Sequence, residues 1–275
     1  MRGDTMAPSN CSADRDPKRQ PRASASPDRV QSRAVDLWQN FLEDIRTARE
    51  QLGSPATLWY RGHSHEAWSL LPSLYRARGW PERERRAFEA FERAATRLFD
   101  KRRSDWEILF DMQHYGIPTR LLDWSEALGV AVAFVMHTPL SPTTDAAIYV
   151  LDPLALNHLS GIEEIKALPS DLTFEYKKIY WYKQPFSPQM PIATSPPLQS
   201  VRLFAQRGVF TIHGAQQAGL ERLCPNVVKK VVLPAGARSA AMQFLEDANL
   251  DEYTIYPDIV GMARLLRRQI FEVGT

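Results

Sequence analysis

The chain of 275 residues contains little of what marks several common protein classes. It has two cysteines, Cys11 and Cys224, which argues against a disulfide framework, and it has no CxxC or Cys/His cluster with metal-ligand spacing. Its longest apolar run, GVAVAFVM at 129–136, is too short to span a bilayer, and its N-terminus lacks the apolar run of a signal peptide. These absences predict a cytoplasmic protein with no membrane partner.

An excess of charge of one sign is also missing. The formal net charge is +2, with 44% hydrophobic and 24% charged residues, as in ordinary globular proteins that bury a sizeable core. Residues 1–33 hold seven Arg or Lys against four Asp, so the remaining chain is close to neutral. Tight binding of nucleic acid is therefore not expected.

The first 33 residues have almost no large apolar side chains and are rich in Pro, Ser, Asp and Arg. Such a segment cannot bury enough surface to offset its chain entropy, so we predict a disordered arm at 1–33 and a single domain at 34–275. A basic arm that touches nucleic acid or acidic lipid is the alternative, which the interleaved acidic residues disfavour.

Apolar periodicity predicts the elements of that domain. Helical spacing occurs in 34–52, from Pro81 to about 102, in 106–112, in 127–136 and in two C-terminal segments, whereas β-prone runs lie at 57–62, 146–152, 202–214 and 226–234. The order lacks regular βα alternation and indicates an α+β fold, with a mixed, largely antiparallel sheet flanked by helices. Residues 153–200 predict long irregular connections, and the role of their Pro-rich end at 184–200 stays open.

One window between predicted helices, QHYGIPTRLLDWS at 113–125, is dense in polar side chains. Gly116 and Pro118 predict the end of one helix, and Asp123 or Ser125 the N-cap of the next. Capping leaves three residues unexplained: His114, Thr119 and Arg120. Two interpretations are open, a buried structural Arg120–Asp123 pair or a polar site where several elements meet.

A second region of interest is WYRGHS at 59–64. Arg61 at a strand end either forms structural ion pairs or binds an anion through its bidentate fork, and Gly62 lets the chain turn or another element approach. His63 and His65 have no third ligand nearby, so no metal site is predicted. The sequence also lacks GxGxxG, Walker, GxSxG and HExxH motifs, which disfavours standard nucleotide-cofactor folds and serine hydrolases.

Four segments together resemble the FRG domain, a family named for a Phe/Tyr-Arg-Gly motif that is Tyr60-Arg61-Gly62 here. They are LWYRGHS…LLPSLYR, MQHYGIPTRLLDWSEALGVAVAF, AAIYVLD and RLFAQRGVFTIH, in a match between about 38 and 214 for which YPDIVGMARLL is a candidate extension. Met112 and Ser125 stand where Leu and Thr are expected. The resemblance marks seven positions without assigning roles: Arg61, His114, Thr119, Arg120, Asp123, Trp124 and Gln206.

Members of this family tend to be bacterial or phage proteins, some of them in defence or toxin-like contexts, so the resemblance implies a defence or toxin-type effector. A fold-level analogy adds the hypothesis of an ADP-ribosyltransferase-like enzyme acting on NAD or another nucleotide. In it, Arg61, Asp123 and Gln206 are the catalytic candidates, with Arg61 on an early strand and Gln206 on a late one. The ligand-binding candidates are Tyr60, His114, Thr119, Arg120 and Trp124, with Tyr115 as a further stacking residue.

The analogy has a weak point, because Gln206 supplies no negative charge to stabilise a ribosyl cation, a role that would pass to Asp123. Two other hypotheses stay open. One is a nucleic-acid-acting effector that uses Asp123 and the histidines as base and acid. The other is a catalytically inert module for a ligand or an unidentified protein partner. Both enzyme hypotheses require Arg61 and Asp123 to line one cleft.

Overall fold

A computed structural model describes residues 27–99, 103–138, 143–171, 173–197 and 201–271. Its centre is a seven-stranded sheet in the order β4-β5-β6-β2-β1-β3-β7, antiparallel throughout except for the β4–β5 pair. The predicted α+β fold with a mixed, largely antiparallel sheet is therefore confirmed. The strands are β1 Trp59–His63, β2 Leu121–Ser125, β3 Ala146–Leu151, β4 Lys166–Ala167, β5 Ile192–Ser195, β6 Gly208–Ile212 and β7 Val228–Leu233.

Helices cover both faces of the sheet, and most of the long ones were predicted from periodicity. They are α1 Pro27–Gln51, α2 Trp80–Ala95, α3 Asp105–His114, α4 Leu128–Met136, α5 Pro153–His158, α6 Val201–Ala205, α7 Leu220–Leu223, α8 Arg238–Asp247, α9 Glu252–Ile255 and α10 Ile259–Phe271. Among the described residues, none of these helices is long and apolar enough to cross a membrane.

The first helix begins earlier than the sequence indicated. It starts at Pro27, so residues 27–33 are helical rather than part of a disordered arm. The remainder of the predicted arm, 1–26, lies outside the described residues. The single-domain assignment of 34–275 stays a prediction.

The polar window 113–125 is a helix-to-strand connection, so the predicted joint between two helices is wrong. Gly116 ends α3 in the left-handed conformation, with φ of 79°, as predicted. The chain then enters β2, which places Asp123 in mid-strand instead of at a helix cap. Ser125 ends β2, where its hydroxyl donates to the Gln206 carbonyl and accepts from Ala127 N just before α4. The sequence signal was ambiguous because LLDW is apolar enough for either element.

Two other segments differ from the prediction. The expected irregular connection at 153–200 contains α5, the short strand β4 and the fully formed strand β5. The expected strand with a bulge at 202–214 is the helix α6 followed by β6. Gln206 therefore lies in the turn between these two elements, not on a strand.

Three apolar clusters form the core, two on one face of the sheet and one on the other. On the first face, α1, α4 and α8 cover β3 and β7, while α3 and the turn at Lys177–Trp181 cover β2, β5 and β6. We call this the α4 face. On the opposite α7 face, one continuous cluster, with Trp59 and Trp124 near its middle, runs across the strands from β5 to β7.

The sheet opens between its two central strands. β1 pairs with β2 at one register position only, Tyr60 with Ser125, whereas β1–β3 and β2–β6 each pair at five. Beyond that single pair, β1 and β2 diverge. The two apolar clusters of the α4 face are separate from each other at the same place. An opening of this kind exposes strand backbone groups that a closed ladder would satisfy, and it needs side chains to occupy them.

Candidate functional site

A cleft of 480 Å³ occupies the opening between β1 and β2. On the α4 face it runs between α3 and α4, and on the α7 face it reaches the loop that follows β1. The wall on the α4 face is partly apolar, with Phe110, Phe134, Leu203 and Phe210 among its residues. Both Arg61 and Asp123 line this cleft, so the geometric condition set by the sequence is met.

Arg61 spans the opening. Its Nη1 donates to the carbonyl oxygen of Asp123, a backbone acceptor on the neighbouring strand, and lies 3.6 Å from the Asp123 carboxylate. Its Nε donates to His63 Nε2 at 3.1 Å. Burial lowers the pKa of Arg61 while Asp123 raises it, and the guanidinium remains charged at neutral pH. The arginine thus occupies a backbone acceptor of β2 that pairing with β1 would otherwise satisfy. The N–H groups of Arg61 that are not used in these bonds remain as donors for a ligand.

His63 holds Arg61 in position as a neutral imidazole. Its Nδ1 donates to the Trp68 carbonyl at 3.2 Å, which leaves Nε2 as the acceptor for Arg61. Burial, reinforced by the Arg61 charge, lowers the pKa of His63 to about 3. Both ring nitrogens are engaged, so this histidine supports the arginine. It has no free nitrogen for the acid or base role that the hypothesis of a nucleic-acid-acting effector gave to the histidines.

Asp123 is oriented by a short relay of hydrogen bonds. Gln113 Nε2 donates to Asp123 Oδ2 at 2.7 Å, and the Thr119 hydroxyl donates to the Gln113 side-chain oxygen. Thr119 is buried and in turn accepts from Leu121 N at 3.1 Å. The Asp123 side chain remains 52% exposed, so one carboxylate edge is fixed while the group stays accessible from the cleft.

His114 lines the cleft with ring nitrogens that are not engaged in hydrogen bonds to the described residues. It lies at the end of α3. Burial lowers its pKa, and the nearby charge of Arg202 adds to that effect. The imidazole is therefore neutral near pH 7 and able to take a proton.

Arg120 does not pair with Asp123, so the predicted Arg120–Asp123 bridge is wrong. Its side chain is 3% exposed and forms a two-pronged ion pair with Glu84 of α2, whose side chain is 2% exposed. Arg120 Nη1 also donates to the His213 carbonyl at 3.0 Å, and Tyr176 donates its hydroxyl to Glu84. The guanidinium has no contact with the cleft and braces α2 against the end of the sheet, so phosphate binding by this arginine has no geometric support.

The remaining candidates from the sequence differ in how far they reach the cleft. Tyr60 is half-buried and lines it. Trp124 also borders it, but its ring is 3% exposed within the α7-face core and its Nε1 donates to Thr211 at 3.0 Å. Tyr115 is 66% exposed and is not among the lining residues. Gln206 borders the cleft, yet it is buried and its Nε2 donates to the Ile255 carbonyl at 3.0 Å, which ties α9 to the sheet.

The cleft lining includes several residues that the sequence did not single out as site residues, among them Gln113, Arg76, Arg202 and Trp68. Gln113, Arg76 and Arg202 lie within the motif segments and Trp68 lies between two of them, so their polar or aromatic character was the only available signal. Arg76 and Arg202 come from separate segments that the fold brings to the same opening. Pairing between distant segments could not be inferred from spacing along the chain.

The charges of the cleft are unequal. Its lining includes the guanidinium groups of Arg61, Arg76 and Arg202 and a single carboxylate, that of Asp123. The charge of Arg76 lowers the pKa of both Arg61 and His63, after burial and other contributions, so the two guanidinium groups interact electrostatically. No cluster of three or more metal-ligating side chains occurs in the described part of the chain. The excess of guanidinium groups in the lining favours an anion over a cation.

Together, fold and site define an α+β protein whose central sheet parts around an arginine-rich, partly apolar ligand cleft. The FRG domain family model matches residues 56–144, a range that contains the first two of the motif segments that indicated this family. The match contains Arg61 and Asp123 but ends before Gln206, which the resemblance had also marked. Neither the curated proteins nor the solved structures contain a match to this chain.

Proposed function

We propose that the cleft binds a nucleotide with a pyrophosphate group, and that NAD is this ligand. The observation that supports the proposal is the placement of Arg61 and Asp123 in one cleft, 3.6 Å apart across parted strands. Arg61 and Arg76 offer forked donors to phosphate oxygens, whereas Asp123 offers a negative charge a short distance away. NAD carries both complementary groups, an anionic pyrophosphate and a cationic nicotinamide ring.

The chemistry that suits this arrangement is cleavage of the nicotinamide–ribose bond. The C1′–N bond breaks, nicotinamide leaves as a neutral molecule with the bonding electron pair, and the positive charge passes to the ribose. Asp123 faces that charge, and water or an acceptor hydroxyl then adds its oxygen to C1′ and gives up a proton. His114 lies in the same cleft as a neutral base for that proton.

This activity is of ADP-ribosyltransferase or NAD-hydrolase type, and it does not depend on Gln206. It is also an activity expected of the defence or toxin-type effector that the family resemblance implied. A nucleic-acid-acting effector has less support, because His63 is engaged at both ring nitrogens and Asp123 is the one carboxylate lining the cleft in the described residues.

A second function, ligand binding without catalysis, is favoured by one specific observation. The Asp123 carboxylate already accepts a hydrogen bond from Gln113 and lies beside Arg61, and both neighbours reduce its capacity to stabilise a cation. In this case the same cleft would hold NAD or a related nucleotide as a sensor or partner-binding module does.

The test compares the wild-type protein with Arg61→Met and Asp123→Asn. Binding of NAD and ADP-ribose is measured by calorimetry, nicotinamide release by chromatography, and folding by thermal unfolding. We expect Arg61→Met to remain folded and to bind more weakly, and Asp123→Asn to bind NAD but release no nicotinamide, with a near-wild-type unfolding temperature. Binding by the wild type without release would select the non-catalytic function. Absence of any binding to the wild type would refute the proposal.

A further inference from the structure

An exposed tryptophan lies at the mouth of the cleft on the α7 face. Trp68 lines the cleft, and 52% of its side chain is exposed. Aromatic side chains are common in ligand pockets, because a ring such as indole offers a large apolar area together with a polar N–H group. Other exposed aromatic residues, such as Tyr182, do not line the cleft.

The loop that carries Trp68 is held rigidly. The Trp68 carbonyl accepts hydrogen bonds from His63 Nδ1 at 3.2 Å and from the Tyr149 hydroxyl at 3.0 Å. The next residue, Ser69, donates its hydroxyl to Glu221 at 2.6 Å, and Glu221 also accepts from Leu70 N at 3.0 Å. A side chain mounted on a fixed backbone loses little entropy on binding, as a preformed recognition surface requires.

The same anchor joins Trp68 to the arginine that spans the opening. His63 bonds the Trp68 carbonyl through one ring nitrogen and Arg61 through the other, so one imidazole holds both the Trp68 backbone and the Arg61 guanidinium. Arg61 and Arg76 line the same cleft as His63 and Trp68, so the cationic groups and the indole border one cavity. An aromatic surface beside two arginines matches a ligand in which a flat base adjoins phosphate.

We propose that Trp68 is the stacking surface for the base of the bound nucleotide, on the α7 side of the opening. The phosphates then lie at Arg61 and Arg76, and the reactive ribose points through the opening toward Asp123 on the α4 side. This inference rests on the proposed function and adds the orientation of the ligand. In NAD, the ring on Trp68 is the adenine, because the nicotinamide end must reach Asp123.

Recognition by stacking has a consequence for selectivity. Every nucleobase has a π-face, and the indole contributes no hydrogen bond that distinguishes one base edge from another. Trp68 therefore binds the adenine ring without discriminating it from other bases. We expect analogues with other flat bases to bind with similar affinity at that position.

The experiment measures the affinities of NAD, ADP-ribose and inorganic pyrophosphate for the wild-type protein, Trp68→Ala and Trp68→Phe. Truncation of a stacking aromatic residue weakens binding by about 5-fold to 150-fold, and we expect that loss for NAD and ADP-ribose with Trp68→Ala. Trp68→Phe should recover most of the affinity, and pyrophosphate should bind all three proteins equally. Tyr182→Ala removes an equally exposed aromatic side chain outside the cleft and is the matched control.

The outcomes separate this inference from the proposed function. If the wild type binds NAD and ADP-ribose and Trp68→Ala binds them equally well, the stacking role is refuted and nucleotide binding stands. Equal weakening of pyrophosphate and ADP-ribose by Trp68→Ala would also refute it, because the tryptophan would then shape the phosphate site and not hold a base. If the wild type binds none of the three, the proposed function itself falls.

Discussion

The buried Glu84–Arg120 pair provides the sharpest test of how the cleft region is supported. Both side chains are almost completely buried, at 2% and 3% exposure, and they exchange a two-pronged ion pair. The substitution Glu84→Gln preserves the shape of the side chain but removes its charge. Arg120 would then remain charged inside the protein, because a guanidinium does not lose its proton.

Breaking a buried pair by neutralising one partner costs about 3–5 kcal/mol, a large part of the roughly 5–15 kcal/mol that stabilises a typical domain. The glutamine oxygen still accepts one hydrogen bond, so we expect a loss near the lower end of this range. In the double variant Glu84→Leu/Arg120→Met the charge penalty is absent. The buried Tyr176 hydroxyl loses its bonds to both Glu84 and Arg120, at a cost of about 1–3 kcal/mol, whereas the His213 carbonyl loses Arg120 but still accepts from the Tyr75 hydroxyl at 2.8 Å.

The assay is urea unfolding followed by circular dichroism, with the midpoint and slope compared among variants. Arg46→Met is the control, since the side chains of its ion pair with Glu43 are 65% and 68% exposed and the loss of such a surface pair should cost below about 1 kcal/mol. We expect Glu84→Gln to be less stable than the double variant. A loss below about 1 kcal/mol in Glu84→Gln, or a double variant less stable than Glu84→Gln, would contradict the account of an uncompensated buried charge.

Two further predictions concern β1. A Cβ at Gly62 would overlap the Ala131 carbonyl oxygen and lie 2.6 Å from Val135 Cγ2, so Gly62→Ala should destabilise the protein by about 1–3 kcal/mol in thermal unfolding, whereas Ser64→Ala should change little. His63, with a pKa of about 3 when folded and a usual value of 6.5 when unfolded, binds a proton more readily in the unfolded state, so stability falls as the pH is lowered. Between pH 7 and pH 5 this group should account for about 2 kcal/mol of lost stability. Urea titrations at the two pH values should show that His63→Gln lacks this contribution. The same pH dependence in the variant and the wild type would contradict the neutral buried imidazole.

Much of the fold could be predicted from periodicity, because amphipathic helices and β-prone runs are recognisable from the local sequence pattern. The segment after Gly116 could not be assigned correctly, since LLDWS is short and apolar and its strand conformation depends on pairing with β6, more than eighty residues later in the chain. The same reason explains the missed strand β5, which is formed by contacts with β6 inside a Pro-rich region.

The candidate site was predicted in part. Arg61 and Asp123 were named, and the structure brings them together in one cleft. Arg120 is also a polar residue of the same window, three positions before Asp123. Its side chain nevertheless points away from the cleft, because helix α2 supplies its partner Glu84 from a distant segment. Sequence spacing showed which residues were unusual, while the direction of each side chain depended on tertiary packing.

The sheet order has a consequence for what the FRG match represents. The matched segment, 56–144, includes both strands that border the cleft, but these strands meet at one register position, and their extensive partners β3 and β6 lie beyond it. A fragment cut at those limits would keep the signature residues and lose the strands on which they rest. The matched segment is therefore one part of a larger sheet, and we expect it to need β3 and β6 in order to fold.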